Sequence, residues 1–443
     1  MDEKLKTIKS APPPPDLPIY GQIDPKEISF FGRTNYESEF EAKRFIFGIK
    51  RSDRHQHLYI IGKSGVGKTK MLELLIRQDI AFGYGLCLLD PHGEIIEDIL
   101  NFIPENRIKD VVVIDPTDIN WPVSFNPLKN IYPEMKHLAT QGFIEIMQKQ
   151  FGDNWTPRLE HIFRFVCLAL FDYPAATMQG MISLLIDNAY RQKVIEFIND
   201  ETVKQFWTTE FGDWSKKFNT ETIMPLINKL NQFLTNPLLR HIFNQEENKI
   251  DLEKIMNEKK IMLINLSKGK LGEKNSSFFG SLFIDKIYQA SIPKGIKDHE
   301  KRRSDFYLYI DEFPNIVTDT FINILTEARK CGLSLTLSHQ YRAQLDQQII
   351  STILGNTASM AVFRLSGDDA IALEKEMTPI FKAKDMINLG IQEFYIKMTI
   401  DGGTSDPFSA ETLKVLASPR QSFKEEIIEY NRRTYCSSIA AIA

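Results

Sequence analysis

An α/β fold, with a mainly parallel sheet interrupted by an all-α insertion, is what this 443-residue sequence predicts. Three observations carry it. Short apolar runs recur at separations that leave room for a helix, the pattern of βαβ units. A glycine-rich loop joins the first such run to a helix-like stretch. Between residues 132 and 253 the runs stop, and apolar side chains fall at helical spacing instead.

Residues 1–27 read as an arm, because Ala11-Pro12-Pro13-Pro14-Pro15 favours a polyproline II spacer that does not join a packed core. Residues 28–130 read as the first part of the α/β domain. Its opening, 28–56, is mixed and rich in phenylalanine. Leu58-Tyr59-Ile60-Ile61 is then a buried strand, and 70–81 a helix closed by Gly83-Tyr84-Gly85. Leu86-Cys87-Leu88-Leu89 and Val111-Val112-Val113-Ile114 are two further strands, each ended by Asp-Pro, since proline cannot donate to a ladder. Residues 131–254 read as the all-α insertion. Within it, 178–198 carries Met181, Leu184, Leu185, Ala189, Val194 and Phe197 on one helical face. Breaks fall at Gly152-Asp153-Asn154-Trp155 and Gly212-Asp213-Trp214. Strands resume at 261–266, so 255–420 completes the α/β domain and 421–443 is left as a tail.

The loop Gly62-Lys63-Ser64-Gly65-Val66-Gly67-Lys68-Thr69 fits G-x-x-x-x-G-K-[ST] at every fixed position. Between a strand and a helix N-terminus, such a loop turns successive backbone N–H groups onto phosphate oxygens. Lys68 would meet the terminal phosphates and the Thr69 hydroxyl a Mg²⁺ ion. A second half-site follows in Phe306-Tyr307-Leu308-Tyr309-Ile310-Asp311-Glu312, an apolar strand ending in two carboxylates. Asp311 would complete the metal's oxygen ligands and Glu312 would activate the attacking water. Roughly 240 residues separate the two motifs, more than a small nucleotide-binding core needs, which supports the insertion independently. The next strand ends at Ser338-His339-Gln340, where a glutamine amide could sense the γ-phosphate. Helix 321–330 ends in Glu327-Ala328-Arg329-Lys330. Its basic pair suits a helix C-terminus, and Arg329 could also reach a neighbouring subunit's site as an arginine finger.

Composition narrows the classes. An apolar share of 43%, a charged share of 25% and a net charge of −4 describe an ordinary globular protein without a basic body for nucleic acid. Nucleic-acid contacts must then come from local loops; Lys268 and Lys270 either face a pore or lie on a solvated surface. Four scattered cysteines form no zinc pattern, and His92 and His339 are not expected to bind metal. No apolar stretch has bilayer length. A GTPase would need N-K-x-D, which Asn228-Lys229-Leu230-Asn231 lacks. An ABC ATPase would need L-S-G-G-Q ahead of the acidic strand, and Leu365-Ser366-Gly367-Asp368-Asp369 neither matches nor precedes it.

Several strings together resemble the HerA–FtsK superfamily of motor ATPases, most closely the coupling proteins of type IV secretion and conjugation (TraD/TraG type). They are the loop at 62–69, Asp90-Pro91-His92-Gly93, Phe125-Asn126-Pro127-Leu128, Asp311-Glu312, Glu327-Ala328-Arg329-Lys330-Cys331-Gly332-Leu333, Ser338-His339-Gln340, Gly355-Asn356 and Phe363-Arg364. The similarity spans about residues 47–416. It implies a RecA-like P-loop NTPase domain with an inserted helical domain, a homo-hexameric ring, and DNA threaded through its centre by ATP hydrolysis with Mg²⁺. Carried across, Gly62, Lys63, Ser64, Gly65, Val66, Gly67, Lys68 and Thr69 bind nucleotide, Thr69 and Asp311 the metal, and Glu312, Lys68, Gln340 and Arg329 serve catalysis. Relaxase or secretion components are the implied partners. Coupling proteins normally carry N-terminal membrane helices and this sequence shows none, so the expectation is a cytoplasmic protein recruited to the inner membrane face by partners. A secretion ATPase acting on proteins, a HerA-like repair translocase and a nucleotide-switched scaffold are the alternatives.

Overall fold

The computed structural model describes residues 8–37, 42–211, 223–292, 305–417 and 421–439. An 11-stranded sheet runs through it. Its first strands are β1 (Ile28–Thr34), β2 (Ile46–Lys50) and β3 (Leu58–Ile61); helix α1 (Lys68–Ala81) leads to β4 (Gly85–Asp90), and α2 (Glu94–Leu100) to β5 (Val111–Ile114). Six longer helices follow: α3 (Lys136–Phe151), α4 (Pro157–Asp172), α5 (Met178–Ile186), α6 (Asn188–Ile195), α7 (Met224–Leu234) and α8 (Pro237–Phe243). The chain then re-enters the sheet at β6 (Ile261–Asn265), α9 (Glu273–Ser291) and β7 (Phe306–Ile310). It continues through α10 (Thr320–Glu327), β8 (Leu333–His339), α11 (Gln347–Asn356) and β9 (Ser359–Val362), to β10 (Glu393–Lys397), β11 (Phe408–Thr412) and α12 (Lys424–Tyr435).

The strand order is β2-β1-β11-β10-β9-β3-β8-β7-β4-β6-β5. From β5 to β9 every neighbouring pair is parallel. These strands are buried on both faces, which is why they read as continuous apolar runs. From β9 to β2 the pairs are antiparallel. This second part has no counterpart in the sequence reading. A bulge between Phe30 and Gly32 in β1 breaks the alternation that would have marked it.

Helix α9 joins the sheet to the insertion. Sixteen of its 19 residues are buried, and its rings pack against a helix of the insertion and the segment that leads into it. Phe278 stacks on Phe233 at 3.9 Å and Phe283 on Phe125 at 4.2 Å between centroids. Among the described residues, no strand lies between β5 and β6.

Several expectations change. The stretch 178–198 is two helices, because the Asp187 side chain accepts from the Ala189 and Tyr190 amides and starts a new N-terminus. Helix 321–330 ends at Glu327, and a 3₁₀ turn carries Ala328–Cys331. The proline-rich arm does join the core in part. Ala11 is buried, its N–H donating to Ser409 Oγ at 3.0 Å, and Tyr395 donates its hydroxyl to the Lys9 carbonyl. A polyproline backbone leaves those groups free to pair with a sheet flank. The tail is also structured, since α12 packs on the outer strand β5. The Asn431 amide donates to Val113 O and accepts from Val113 N, both at 2.8 Å, pairing one residue of an edge strand from the side. The break at 212–214 and the last four residues of the tail lie outside the described residues. Among the described residues no helix is long and apolar enough to cross a membrane, and no cluster of three or more His, Cys, Asp or Glu side chains is arranged to hold a metal.

Candidate nucleotide site

Strands β3, β8, β7 and β4 are adjacent and parallel, so their C-terminal ends open on one edge of the sheet. In open α/β sheets this edge is where ligands bind. The loop 62–67 leaves β3 there and enters α1 through Gly67, whose φ of +117° excludes a residue with a side chain. At Gly62 a Cβ would fall 2.5 Å from Phe363 Cβ, so the loop lies flush on the segment leaving β9. Three backbone bonds hold it: Gly62 N to His339 O, Lys63 N to Arg364 O, and Gln392 N to Val66 O. Deeper in, Asp79 of α1 accepts from Arg51 at 2.5 Å, Arg54 at 2.8 Å and the Tyr309 hydroxyl at 2.5 Å. Tyr309 precedes Asp311 by two residues, so this buried cluster ties the loop's helix to the acidic strand.

Lys68 opens α1, and its ammonium donates to the Gly62 and Lys63 carbonyls at 2.7 and 3.0 Å. Burial lowers its pKa, and the charges of Asp311 and Glu312 oppose that shift, so lysine and acidic pair share one field. Asp311 is buried, and the loss of solvent pushes its carboxyl up to about 6. The neighbouring Asp90 and Glu312 charges add to the rise, while the Ser338 hydroxyl and Lys68 offset it. Glu312 adopts φ +47°, ψ +45°, a left-handed backbone rare for a side-chain-bearing residue. Its Oε1 accepts from Gln340 Nε2 at 2.6 Å, and His92 Nε2 approaches its Oε2 at 3.5 Å. Thr69, half-buried, follows Lys68 in the first turn of α1.

Lys68, Asp311, Glu312 and Gln340 are therefore brought together, and Arg329 is not. It lies before β8, whereas Gln340 follows it. Seven residues at about 3.3 Å each separate the two by roughly 23 Å. Arg329 instead lines an open polar groove of about 440 Å³ with His55, His57, Asn356 and Lys397. The expected loop at 267–270 is instead a short helical turn, Lys268–Leu271, whose Lys268 pairs with Glu273 at 3.3 Å.

Sequence reasoning did not assign Asp90 and His92 to the site. Asp90 ends β4 next to Asp311. Its carboxylate accepts from the His92, Ile95 and Ile96 amides, which caps α2 and aims His92 at Glu312. The string Asp90-Pro91-His92-Gly93 was the available signal, but only the order of β4 beside β7 gives it a place. His339 is buried between the Tyr59 hydroxyl, 2.5 Å from Nε2, and the Phe313 ring. Burial pulls its pKa down to about 3, so the ring is neutral and structural.

Fold and site together define a P-loop nucleoside-triphosphatase with a RecA-like sheet. Residues 51–287 match the family model described as the central domain of helicase HerA, and the chain belongs to that family. Its relatives are the HerA–FtsK type motor ATPases. Among solved structures it resembles the bacterial conjugative coupling protein TrwB, at TM-score 0.60 and 14% identity over 85% of this chain and 90% of that one. TrwB with ADP and Mg²⁺ gives TM-score 0.59 at the same identity and coverage. VirB4 of Thermoanaerobacter pseudethanolicus gives TM-score 0.56 and 13% identity over 87% of this chain and 96% of that one. At these identities the likeness is one of fold. No curated protein matches the chain.

Proposed function

We propose that this ATPase is a DNA translocase, working as a ring of six subunits and moving DNA or nucleoprotein through a central pore. The observation that carries the reading is the convergence of Lys68, Asp311, Glu312 and Gln340 on three adjacent strand ends, with Arg329 at the far end of the same sheet. An arginine so placed serves no reaction in its own subunit and is free to serve a neighbour's. Residues 28–130 and 255–420 would form the motor domain and 131–254 the inserted one. The likeness in fold to TrwB and VirB4 supports partners from conjugation or secretion machinery, such as a relaxase.

ATP fits the loop: it enters the N-terminus of α1 through Gly67 with no side chain capping that end, and Lys68 supplies a cation there. Mg²⁺ fits as well, because a hydroxyl and a carboxylate are hard oxygen donors, and Asp311 sits in an acidic neighbourhood that a cation would relieve. Thr69 and Asp311 would hold it, and when bound it supplies charge neutralisation at the phosphates. Glu312, fixed by Gln340, orients the attacking water and draws off its proton as the bond to the γ-phosphorus forms and the β–γ bridging bond breaks. Gln340 then registers the change, since it touches Glu312 directly. Lys68→Ala and Glu312→Gln should each reduce turnover by at least ~10²-fold, with the Glu312 variant still binding ATP. ATPase assays without nucleic acid, with single strands and with duplex, alongside native mass, test the whole reading. Stimulation by DNA in a six-subunit particle supports it; turnover indifferent to both DNA forms overturns the translocase assignment.

A further inference from the structure

The loop that carries Glu312 is held from outside the motor sheet. After Glu312 the chain runs through Phe313–Asn315 and Ile316 to the start of α10, and four consecutive carbonyls in it accept from side chains of other elements. Lys149 Nζ, from the last turn of α3, donates to Val317 O at 2.6 Å and Asn315 O at 2.8 Å, with Pro314 O at 3.4 Å. Ser277 and Ser281 of α9 donate to Asn315 O and Ile316 O. One turn back on α3, Glu145 accepts from the Thr320 amide and hydroxyl. Lys149 is an exposed residue that lines a groove of about 430 Å³ together with Pro314, Val317 and Asp319. Crowding there pushes its pKa down to about 8.

This arrangement has a specific target. A glutamate in the left-handed region persists only where its surroundings over-determine the backbone. Gln340 restrains the Glu312 carboxylate and Asp311 Oδ1 accepts from its N–H, so the remaining support for its backbone comes from the residues that follow it. Three N–H bonds of one ammonium span four residues of that following segment, a geometric clamp rather than a point charge. The clamp belongs to the insertion, whose role the nucleotide site alone does not define.

We propose that Lys149, assisted by Glu145, is a positioning residue for Glu312, so that helix α3 of the inserted region sets the geometry of the catalytic carboxylate. The proposal rests on the ATPase reading of the site. Its consequence is that a load on the helical insertion reaches the reaction through one short loop.

The test uses the full chain with Lys149→Met, Lys149→Arg and Glu145→Ala, measuring ATP affinity, turnover and hydrogen exchange. Lys149→Met should lower kcat by ~10–100-fold with the ATP Kd within about threefold, because the interaction is not made to nucleotide. Exchange should rise in 313–320 and stay unchanged in α1. Lys149→Arg, which has room in the groove, should restore at least a third of kcat. If Lys149→Met does not fold, Glu145→Ala should show the same kcat-only loss. Unchanged kcat in a Lys149→Met protein that binds ATP overturns the proposal, as does loss of kcat and ATP binding in equal measure. A wild-type chain that does not hydrolyse ATP would instead overturn the ATPase reading itself.

Discussion

Single side chains in this protein show which chemistry is local and which depends on folding. That Lys68 and the pair Asp311-Glu312 meet at one edge of the sheet was legible in the sequence, because each motif needs only its own strand and turn. The contacts of Asp90, His92 and Lys149 were not, because they arise from strand order and from segments more than a hundred residues away. Buried histidines give a residue-level prediction. Burial holds His57 near pKa 4, below its ordinary value of 6.5, and its Nδ1 accepts from the Leu335 amide as a neutral ring must. A base whose folded pKa is depressed contributes stability above its unfolded pKa and loses it as the pH falls toward the folded value. The window is therefore pH 6.5 down to about 4. His57 has φ +67°, so asparagine can replace it in that backbone. His57→Asn should shrink the stability lost between pH 7 and pH 5 by about 2 kcal/mol, read from urea midpoints at the two pH values. An unaltered difference would show that this ring does not titrate on unfolding.

At the scale of elements, the parallel half of the sheet could be read because strands buried on both faces are unbroken apolar runs. The antiparallel half could not, since β1 is bulged and β10 and β11 mix aromatic, small and charged residues. Helix α12 was equally hidden: nothing in its own sequence names Val113 as its partner. That contact is where the edge of the sheet is closed, and it can be broken selectively. Asn431→Leu keeps the branching at Cγ and removes both hydrogen bonds to Val113, leaving its N–H and C=O unpaired beneath a buried side chain. The cost should be ~1–3 kcal/mol in chemical denaturation. A variant as stable as the parent would mean that water replaces the amide at this edge.

For the whole molecule, the decisive question is whether Arg329 acts between subunits. Arg329→Ala and Lys68→Ala chains should each be inactive, and mixing them at ring-forming concentration should recover turnover, because an interface then pairs an intact loop with an intact arginine. Recovery should approach a quarter of wild type for random mixing, and none at all would place the arginine outside the reaction. The 23 Å figure for β8 also bears on timing. On the proposed reading, one stiff strand would carry at its head the amide that feels a subunit's own triphosphate, and at its foot the guanidinium offered to the subunit next door. Spending the fuel at one end would then tug on the hand offered at the other, and were six such chains to close a circle, the relay would pass the next firing to one particular neighbour.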